Sequence, residues 1–309
     1  MKNKKKYVHV IVGGNGQDAH YLTKLLIEKK EKIILITRRD FKSSLKKNKY
    51  VSIVKLDICN QNLVFKFLRK FKFLKIYHLA SYSPSINESE NSSIIIKNLS
   101  VNIIALVNFL EYALKNKSNS KIFYACSSHI YNETLTKIQN ENTKPQFNSN
   151  YALTKYLAKE ICAFYRKKKI FCSVGIMYSH ASKLSKKKFL IKDIFSQIKN
   201  NKKEISVMNK KDKIDLLSVT DVVNAIYEIM NLNYSDEFII SSNKIVQVKD
   251  VINEILKIKN IKSIKIKDLK KNNKNSNLTI LRGNNNKLIK ATKWSPKKNL
   301  KTLVNEYLI

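Results

Sequence analysis

Cysteine is scarce in this chain, four residues in 309, and Cys59, Cys126, Cys162 and Cys172 show no Cys-x-x-Cys spacing. A disulfide framework is therefore excluded as the organising principle, and a reducing cytoplasm is the expected compartment. A signal peptide and long apolar runs are also lacking, so neither export nor a membrane partner is expected. The five histidines, at 9, 20, 78, 129 and 180, and the cysteines lack ligand spacing, so no metal site is expected. Acidic residues are few, 23 against 60 basic ones, which gives a formal net charge of +37. Such an excess ordinarily points to nucleic acid, because lysine and arginine neutralise phosphates and release counterions. Yet arginine is rare too, at 38, 39, 69, 166 and 282 alone, and the lysines are scattered through a chain rich in Asn and Ile. That pattern reads as AT-rich coding bias rather than a base-reading or stacking surface. No nucleic-acid partner is expected, while an acidic, phosphate-bearing ligand is compatible with the charge.

What the chain does have is a hydrophobic content of 43%, enough to bury a large core without staples. Short apolar runs rich in β-branched and aromatic residues recur at 7–12, 32–36, 51–55, 75–79, 121–126 and 171–177. Segments with helical spacing lie between them, at 21–29, 63–70, 98–114 and 151–169. Strand alternating with helix predicts an α/β fold, a Rossmann-type doubly wound parallel sheet. Beyond residue 182 the alternation weakens into Lys-rich and Asn-rich stretches, notably 267–277, with helical periods at 219–230 and 248–258. The expected division is a nucleotide-binding Rossmann domain over 1–180 and a smaller, mainly substrate-binding C-terminal lobe over 181–309. Segments near 215–240, with a strand at 237–240, are expected to return to the first.

The first predicted strand runs straight into Gly13-Gly14-Asn15-Gly16-Gln17-Asp18-Ala19, with a helix expected from about Tyr21. Gly13 and Gly16 permit a tight turn and close backbone approach, and a helix N-terminus offers free N–H groups to a pyrophosphate. Ala19 is small enough for helix and strand to pack closely. A glycine-rich turn alone could be an ordinary strand-to-helix loop, but this one follows the first strand, the context that the dinucleotide fingerprint requires. The second strand ends in Thr37-Arg38-Arg39, where an NAD enzyme commonly places an acidic residue. Two adjacent guanidiniums suit a 2′-phosphate instead, so NADP is expected over NAD, the other reading being a solvated loop pair. Asp57, between Leu56 and Ile58 after the third strand, could accept from an adenine amino group.

Tyr151 and Lys155 form a Tyr-x-x-x-Lys pair, and residues four apart lie on one helix face. A nearby ammonium favours the phenolate, so Tyr151 is expected to exchange a proton with a sugar hydroxyl near neutral pH. Ser127 and Ser128 end the preceding strand at the edge where open α/β sheets bind ligands, and a hydroxyl there can hold the substrate oxygen beside Tyr151.

On these residues the chain resembles the extended short-chain dehydrogenase/reductases, and among them the GDP-mannose 4,6-dehydratases. The turn GGNGQDAHYL, TRR after the second strand, YHLASYS after the fourth and the helix NIIALVNFLE carry the first half of the resemblance. ACSSHIYN, YALTK, GIMYSHAS and RGNNNKLIKATKWSPKKNLKTLVNEYL extend it to the C-terminus. In that family hydride passes from the sugar C4 to NADP, a glutamate base helps eliminate water across C5 and C6, and hydride returns at C6. The resemblance implies that Tyr151 is the C4 base, Lys155 its electrostatic partner and Ser127 the group orienting O4. His129 stands at the glutamate position and is either a general acid or base or an imidazole satisfied in the strand end. Asn15, Gln17, Asp18, Ile58, Leu79, Ala80, Ser81, His180 and Lys192 are implied on the cofactor side, with Ser83, Ser128 and Ser179 on the substrate side. Ser179 and Ala181 replace the family's Asn and Glu, and Ile214 stands where an arginine precedes Asp215. The Trp-x-Pro segment at Trp294 is implied to close over the nucleotide. The implied ligand is a nucleotide sugar, GDP-mannose or a related GDP-hexose, and the implied assembly is a homodimer or homotetramer paired through helices beside the site. Because the glutamate is replaced, a 4-keto-sugar reductase or epimerase stays open, as does a catalytically silent NADP-binding protein.

Overall fold

A computed structural model describes residues 6–41, 43–82, 91–116, 119–132, 134, 136–147, 149–185, 189–200, 204–269 and 280–307. Its larger sheet comprises β1 (Val8–Val12), β2 (Lys32–Thr37), β3 (Val51–Lys55), β4 (Leu74–His78), β5 (Lys121–Ser127), β6 (Cys172–Met177) and β10 (Glu237–Ile240). The order across the sheet is β10-β6-β5-β4-β1-β2-β3, and every neighbouring pair is parallel. β1 and β4 lie side by side although their chains leave toward opposite halves of the sheet, so a crevice opens between their C-terminal ends.

Both faces of this sheet are covered, which is why its inner strands read as unbroken apolar runs. On one face, α2 (Gln61–Leu68), α4 (Ala105–Lys115) and α5 (Asn150–Lys167) bury Val64, Phe109 and Ala158 against Val10, Ile76 and Tyr124. On the other, α1 (Gln17–Glu28), α7 (Val219–Ile229) and α9 (Asn286–Thr292) bury Leu22, Leu26, Val222 and Leu288 against Ile11 and Phe123. α1 therefore starts four residues earlier than the sequence suggests, directly after Gly16. β10 arrives late in the chain and is fastened to α5, the Glu237 carboxylate meeting Arg166 at 2.5 Å and Lys159 at 2.9 Å.

Of the stretch near 215–240, α7 and β10 join the layers of the large sheet. β9 (Lys213–Ser218) instead lies between β7 (Ser179–Ala181) and β11 (Ile245–Gln247) in a small sheet of its own. A third core gathers α6 (Leu190–Lys199), β8 (Glu204–Val207), α8 (Val248–Ile258) and α10 (Leu300–Asn305) through Ile194, Ile205, Ile252 and Val304. β12 (Lys265–Asp268) pairs with β8.

One continuous helix, Ser92–Lys115, is 24 residues long and includes an 18-residue window of mean hydropathy 1.7. It comprises α3 (Ser92–Leu99), a π turn over Ser100–Ile104, and α4. By length and composition it could cross a membrane, yet its polar residues point inward. Asn98, Asn102 and Asn108 are buried, while Ile95, Ile96, Leu99 and Ile104 are exposed.

Gly175, in the middle of β6, has no room for a side chain: a Cβ there would lie 2.5 Å from Phe123 Cζ and 2.9 Å from Ile240 Cδ1. Gly175→Ala is expected to overpack this face and cost about 1–3 kcal/mol. The check is a lower urea midpoint with an unchanged m-value.

Candidate functional site

The crevice between β1 and β4 widens into a cleft of about 700 Å³. Gly13 makes it possible. Its φ is +91°, and a Cβ there would stand 2.8 Å from the backbone N and Cα of Ala80. The N–H groups of Gly13 and Gly14 both donate to Ile36 O, at 3.1 and 3.0 Å, and Gly16 N closes the turn on Gly13 O at 2.9 Å. Gly16 is the N-cap of α1 and no side chain caps the helix, so its first-turn N–H groups lack intrahelical acceptors and are available to an anion.

Most of the expected cofactor residues line this cleft: Gly13, Asn15 and Gly16 at the turn, Arg38 and Arg39 beyond β2, Asp57 and Ile58 beyond β3, and Leu79, Ala80 and Ser81 beyond β4. Arg38 and Arg39 are exposed, and among the described residues neither guanidinium has a hydrogen bond or ion pair. Asp57 accepts from Cys59 N at 3.0 Å, an Asx turn that shapes this wall of the cleft. A dinucleotide therefore fits what is present: uncapped N–H groups, a backbone clearance that a Cβ would fill, and two uncommitted cations.

Six expected cofactor residues do not line the cleft: Tyr151 and Lys155, which stand at its end, and Gln17, Asp18, His180 and Lys192. Because α1 begins at Gln17, the side chains of Gln17 and Asp18 turn to the opposite side. Gln17 Oε1 accepts from the hydroxyls of Ser182 and Ser185, both at 3.0 Å, and Asp18 meets His180 at 3.2 Å. Lys192 is turned to a carbonyl, Lys183 O at 2.6 Å. Sequence reasoning passed over Cys59, Lys97 and Val101, which do line it. Its only hint would have been the position of Lys97 and Val101 four apart on the segment preceding the NIIALVNFLE helix.

The cleft ends at Ser81, and the catalytic candidates stand there. Ser149 caps α5 by accepting from Ala152 N at 3.3 Å, which places Tyr151 in the first turn. The Tyr151 hydroxyl is hydrogen-bonded with Ser127 and Ser81. Ser127 ends β5, and its Oγ also accepts from His129 N at 3.3 Å, starting a 3₁₀ turn over Ser128–Tyr131. Lys155, one turn after Tyr151, is buried; its Nζ donates to Ala125 O at 2.8 Å and lies 5.7 Å from the centre of the Tyr151 ring. The His129 ring stands edge-on to the Tyr151 ring, centroids 5.7 Å apart, and is exposed. Among the described residues its imidazole nitrogens have no hydrogen bond.

One electrostatic expectation is reversed. Burial, the largest influence, pushes Tyr151 up to about 12 and outweighs the hydrogen bonds that lower it. Burial likewise lowers Lys155 to about 8. Tyr151 is thus a neutral phenol at pH 7, since the loss of water around it penalises the phenolate more than Ser127 and Ser81 favour it. Loss of solvation also lowers the His129 pKa, leaving a neutral imidazole near pH 7.

Behind the site, Asn102 in the π turn ties three segments together. Its Oδ1 accepts from Ser81 Oγ at 3.0 Å and Tyr82 N at 3.1 Å, and its Nδ2 donates to Tyr82 O, Asn98 Oδ1 and Thr154 Oγ1. Among the expected substrate residues, Ser128 is buried, Ser179 is exposed at the start of β7, and Ser83 lies outside the described residues. Asp215 is occupied by Ser242, Asn243 and Gly283, and Ile214 bridges to Leu281. Trp294 does not reach the cleft: it is packed against α7, with Nε1 donating to Asp221 O at 3.0 Å.

A family model described as GDP-mannose 4,6 dehydratase matches residues 10–307. GDP-mannose 4,6 dehydratase 2 of Caenorhabditis elegans is 23% identical over 273 residues, covering 81% of this chain and 70% of that relative. Among solved structures, the UDP-glucuronic acid 4-epimerase of Bacillus cereus with UDP-glucuronic acid and NAD has a TM-score of 0.82 at 17% identity, over 97% of this chain and 98% of that one. The dTDP-glucose 4,6-dehydratase of Bacillus anthracis with NAD has a TM-score of 0.81 at 18% identity, over 98% and 96%. At such identity these two structures speak for the shared fold alone. The match that runs from β1 to α10 decides the family: this chain belongs to the GDP-mannose 4,6 dehydratase family, among the nucleotide-sugar epimerases and dehydratases of the extended short-chain dehydrogenase/reductases.

Proposed function

We propose that the protein is an NADP-dependent lyase that oxidises a GDP-linked hexose at C4, removes water across C5 and C6 and returns hydride at C6, with GDP-mannose the first substrate to test. The observation that carries this reading is the convergence of Ser127, Tyr151 and Lys155 with His129, whose ring has no hydrogen bond among the described residues, at the end of the dinucleotide-sized cleft. Tyr151 Oη receives the O4 proton while Ser127 orients that oxygen, and the Lys155 ammonium supplies positive charge beneath the ring. A nicotinamide dinucleotide held by the Gly13–Gly16 turn and the cleft walls would supply the hydride acceptor and donor, and the positive charge of its oxidised ring would favour the Tyr151 phenolate that burial opposes. His129, neutral near pH 7, takes the C5 proton and passes it to the departing C6 hydroxyl, which leaves as water, and the proton that Tyr151 took from O4 is the one left to restore C5 when hydride returns at C6. The unpaired Arg38 and Arg39 favour NADP over the NAD of the solved neighbours. The setting we propose is nucleotide-sugar supply for polysaccharide synthesis in the cytoplasm, which the free thiols of Cys59, Cys126, Cys162 and Cys172 suit.

A second reading, a 4-keto-sugar reductase or epimerase, is favoured by one feature: His129 in the glutamate position. Those reactions need Ser127, Tyr151 and Lys155 but no base at C5.

The apolar face of Ser92–Lys115, together with Leu153, Leu157 and Phe164 on α5, supports pairing with a second copy of the chain. Ile96 is 61% exposed and Phe164 53%, an arrangement that leaves large side chains in water unless a partner covers them.

Incubation of the protein and NADP with GDP-mannose should give, by mass spectrometry, a product lighter by one water. An unchanged sugar despite NADP binding would favour the reductase or epimerase. Tyr151→Phe is expected to lower kcat by about 10²–10⁴-fold, the range for loss of a positioned acid–base group. Replacing Arg38 and Arg39 by Ala should weaken NADP binding about tenfold or more while leaving NAD affinity nearly unchanged, as for loss of charge-assisted phosphate contacts. Equal losses for both dinucleotides would count against NADP selectivity. Sedimentation should show a dimer that Ile96→Asp combined with Phe164→Asp turns into a folded monomer; a wild-type monomer at all concentrations would sink the pairing.

A further inference from the structure

The first turn of α1 carries an ion pair whose place is unusual. Asp18 belongs to the turn whose N–H groups face the cleft, yet its carboxylate points to the second lobe, its oxygens 3.2 and 3.3 Å from Nε2 of His180. The other ring nitrogen, Nδ1, lies 2.7 Å from Tyr178 O. Both partners of the ring are acceptors. A neutral imidazole has one N–H and would press a lone pair against one of them, so this geometry calls for the doubly protonated ring. The two side chains are only 15% and 18% exposed, so solvent screens the pair weakly.

Among the described residues, His180 is the one cation paired with Asp18. Gln17, Ser182 and Ser185 beside the pair are neutral, and Ser185 Oγ meets Tyr307 Oη at 3.0 Å. Burial pushes Tyr307 up to about 12, so it too stays neutral. His20 on α1 is held below the usual imidazole pKa, by burial first and then by Lys24 and Lys183. Across the site the Asp18 charge is felt by Tyr151 and by Lys155, and Lys155 loses its proton near 8. At His180 itself burial is the largest single influence and lowers the pKa, but the charge and hydrogen bond of Asp18 and the carbonyl of Tyr178 together raise it above 6.5.

We infer that His180 is a resident imidazolium that cancels the Asp18 carboxylate at the mouth of the phosphate-binding turn, so that the cleft accepts an anionic dinucleotide. The inference deepens the NADP reading above and rests on it. A carboxylate in the first turn suits the helix dipole, but it stands beside the same N–H groups that a pyrophosphate would occupy. Unpaired, it would repel the ligand; paired, it leaves the turn neutral and ties α1 to β7. His180 and Asp18 are in this sense positioning residues that set the charge of the turn.

The test is NADP binding by titration calorimetry with wild type, His180→Gln and the double variant Asp18→Asn/His180→Gln. His180→Gln, which leaves Asp18 unpaired, should raise the Kd about tenfold, the order expected for an unscreened charge within several ångströms of the ligand. The double variant should recover most of that loss. A loss in the double variant as large as in His180→Gln would make the pair a structural latch and overturn the inference, as would an unchanged Kd in His180→Gln. Thermal melting separates a weakened site from a chain that fails to fold. As pH rises through the His180 pKa, wild-type affinity should fall in a step that His180→Gln lacks, whereas the Lys155 step near 8 should be common to both. A wild-type protein that binds no NADP at any pH would overturn the cofactor reading itself.

Discussion

Two parallel strands can run side by side and send their chains to opposite halves of a sheet only if their ends do not collide. In this protein the point of near-collision is Gly13 against Ala80, where 2.8 Å separates a Cβ that is not there from backbone that is. That clearance brings the outgoing turn of β1 down beside β4, starts α1 at once after Gly16, and leaves its first-turn N–H groups facing the crevice. The cleft, the two arginines on its rim and the hydroxyls at its far end are all arranged around this close approach.

At the far end a different force governs. Tyr151 and Lys155 are both taken out of water, and burial drives their pKa values apart, the phenol up to about 12 and the ammonium down to about 8. A tyrosine and a lysine one helical turn apart do not by themselves make a phenolate. The site stores the pair as a neutral phenol above a cation that is anchored on Ala125 O, and positive charge arriving with a ligand would have a large effect because little solvent remains to screen it.

The scaffold behind these groups mixes polar with apolar burial. Ser92–Lys115 buries Asn98, Asn102 and Asn108 beside Leu106, Phe109 and Leu110 while Ile95, Ile96 and Ile104 stay exposed, and Asn102 uses both ends of its amide to join the loop after β4, α3 and α5. A buried amide is tolerable only when its polar atoms are satisfied, each hydrogen bond then contributing about 0.5–1.5 kcal/mol. Here satisfaction also fixes Ser81 and Thr154, and through them the two sides of Tyr151. The π turn at Ser100–Ile104 gives this side chain its reach, in keeping with the tendency of such turns to sit at functional sites.

Apolar runs, glycine positions and the order of motifs along the chain determined the doubly wound sheet, the phosphate-type turn, the arginine pair and the Tyr151–Lys155 pair. Each of these depends on residues close in sequence, where the periods of strand and helix and the lack of a Cβ act locally. The small strands β7, β8, β9, β11 and β12 were not legible, since three to six residues in a lysine-rich stretch carry too little period and owe their form to pairing with distant partners. The same holds for direction: Gln17 and Asp18 are in the motif, but only tertiary structure decided that their side chains meet Ser182, Ser185 and His180, and that Trp294 packs on α7 instead of over the cleft. It also decided protonation, because the sequence places a cation beside a phenol whereas the loss of water around both, a property of the packed fold, sets which of them holds the proton.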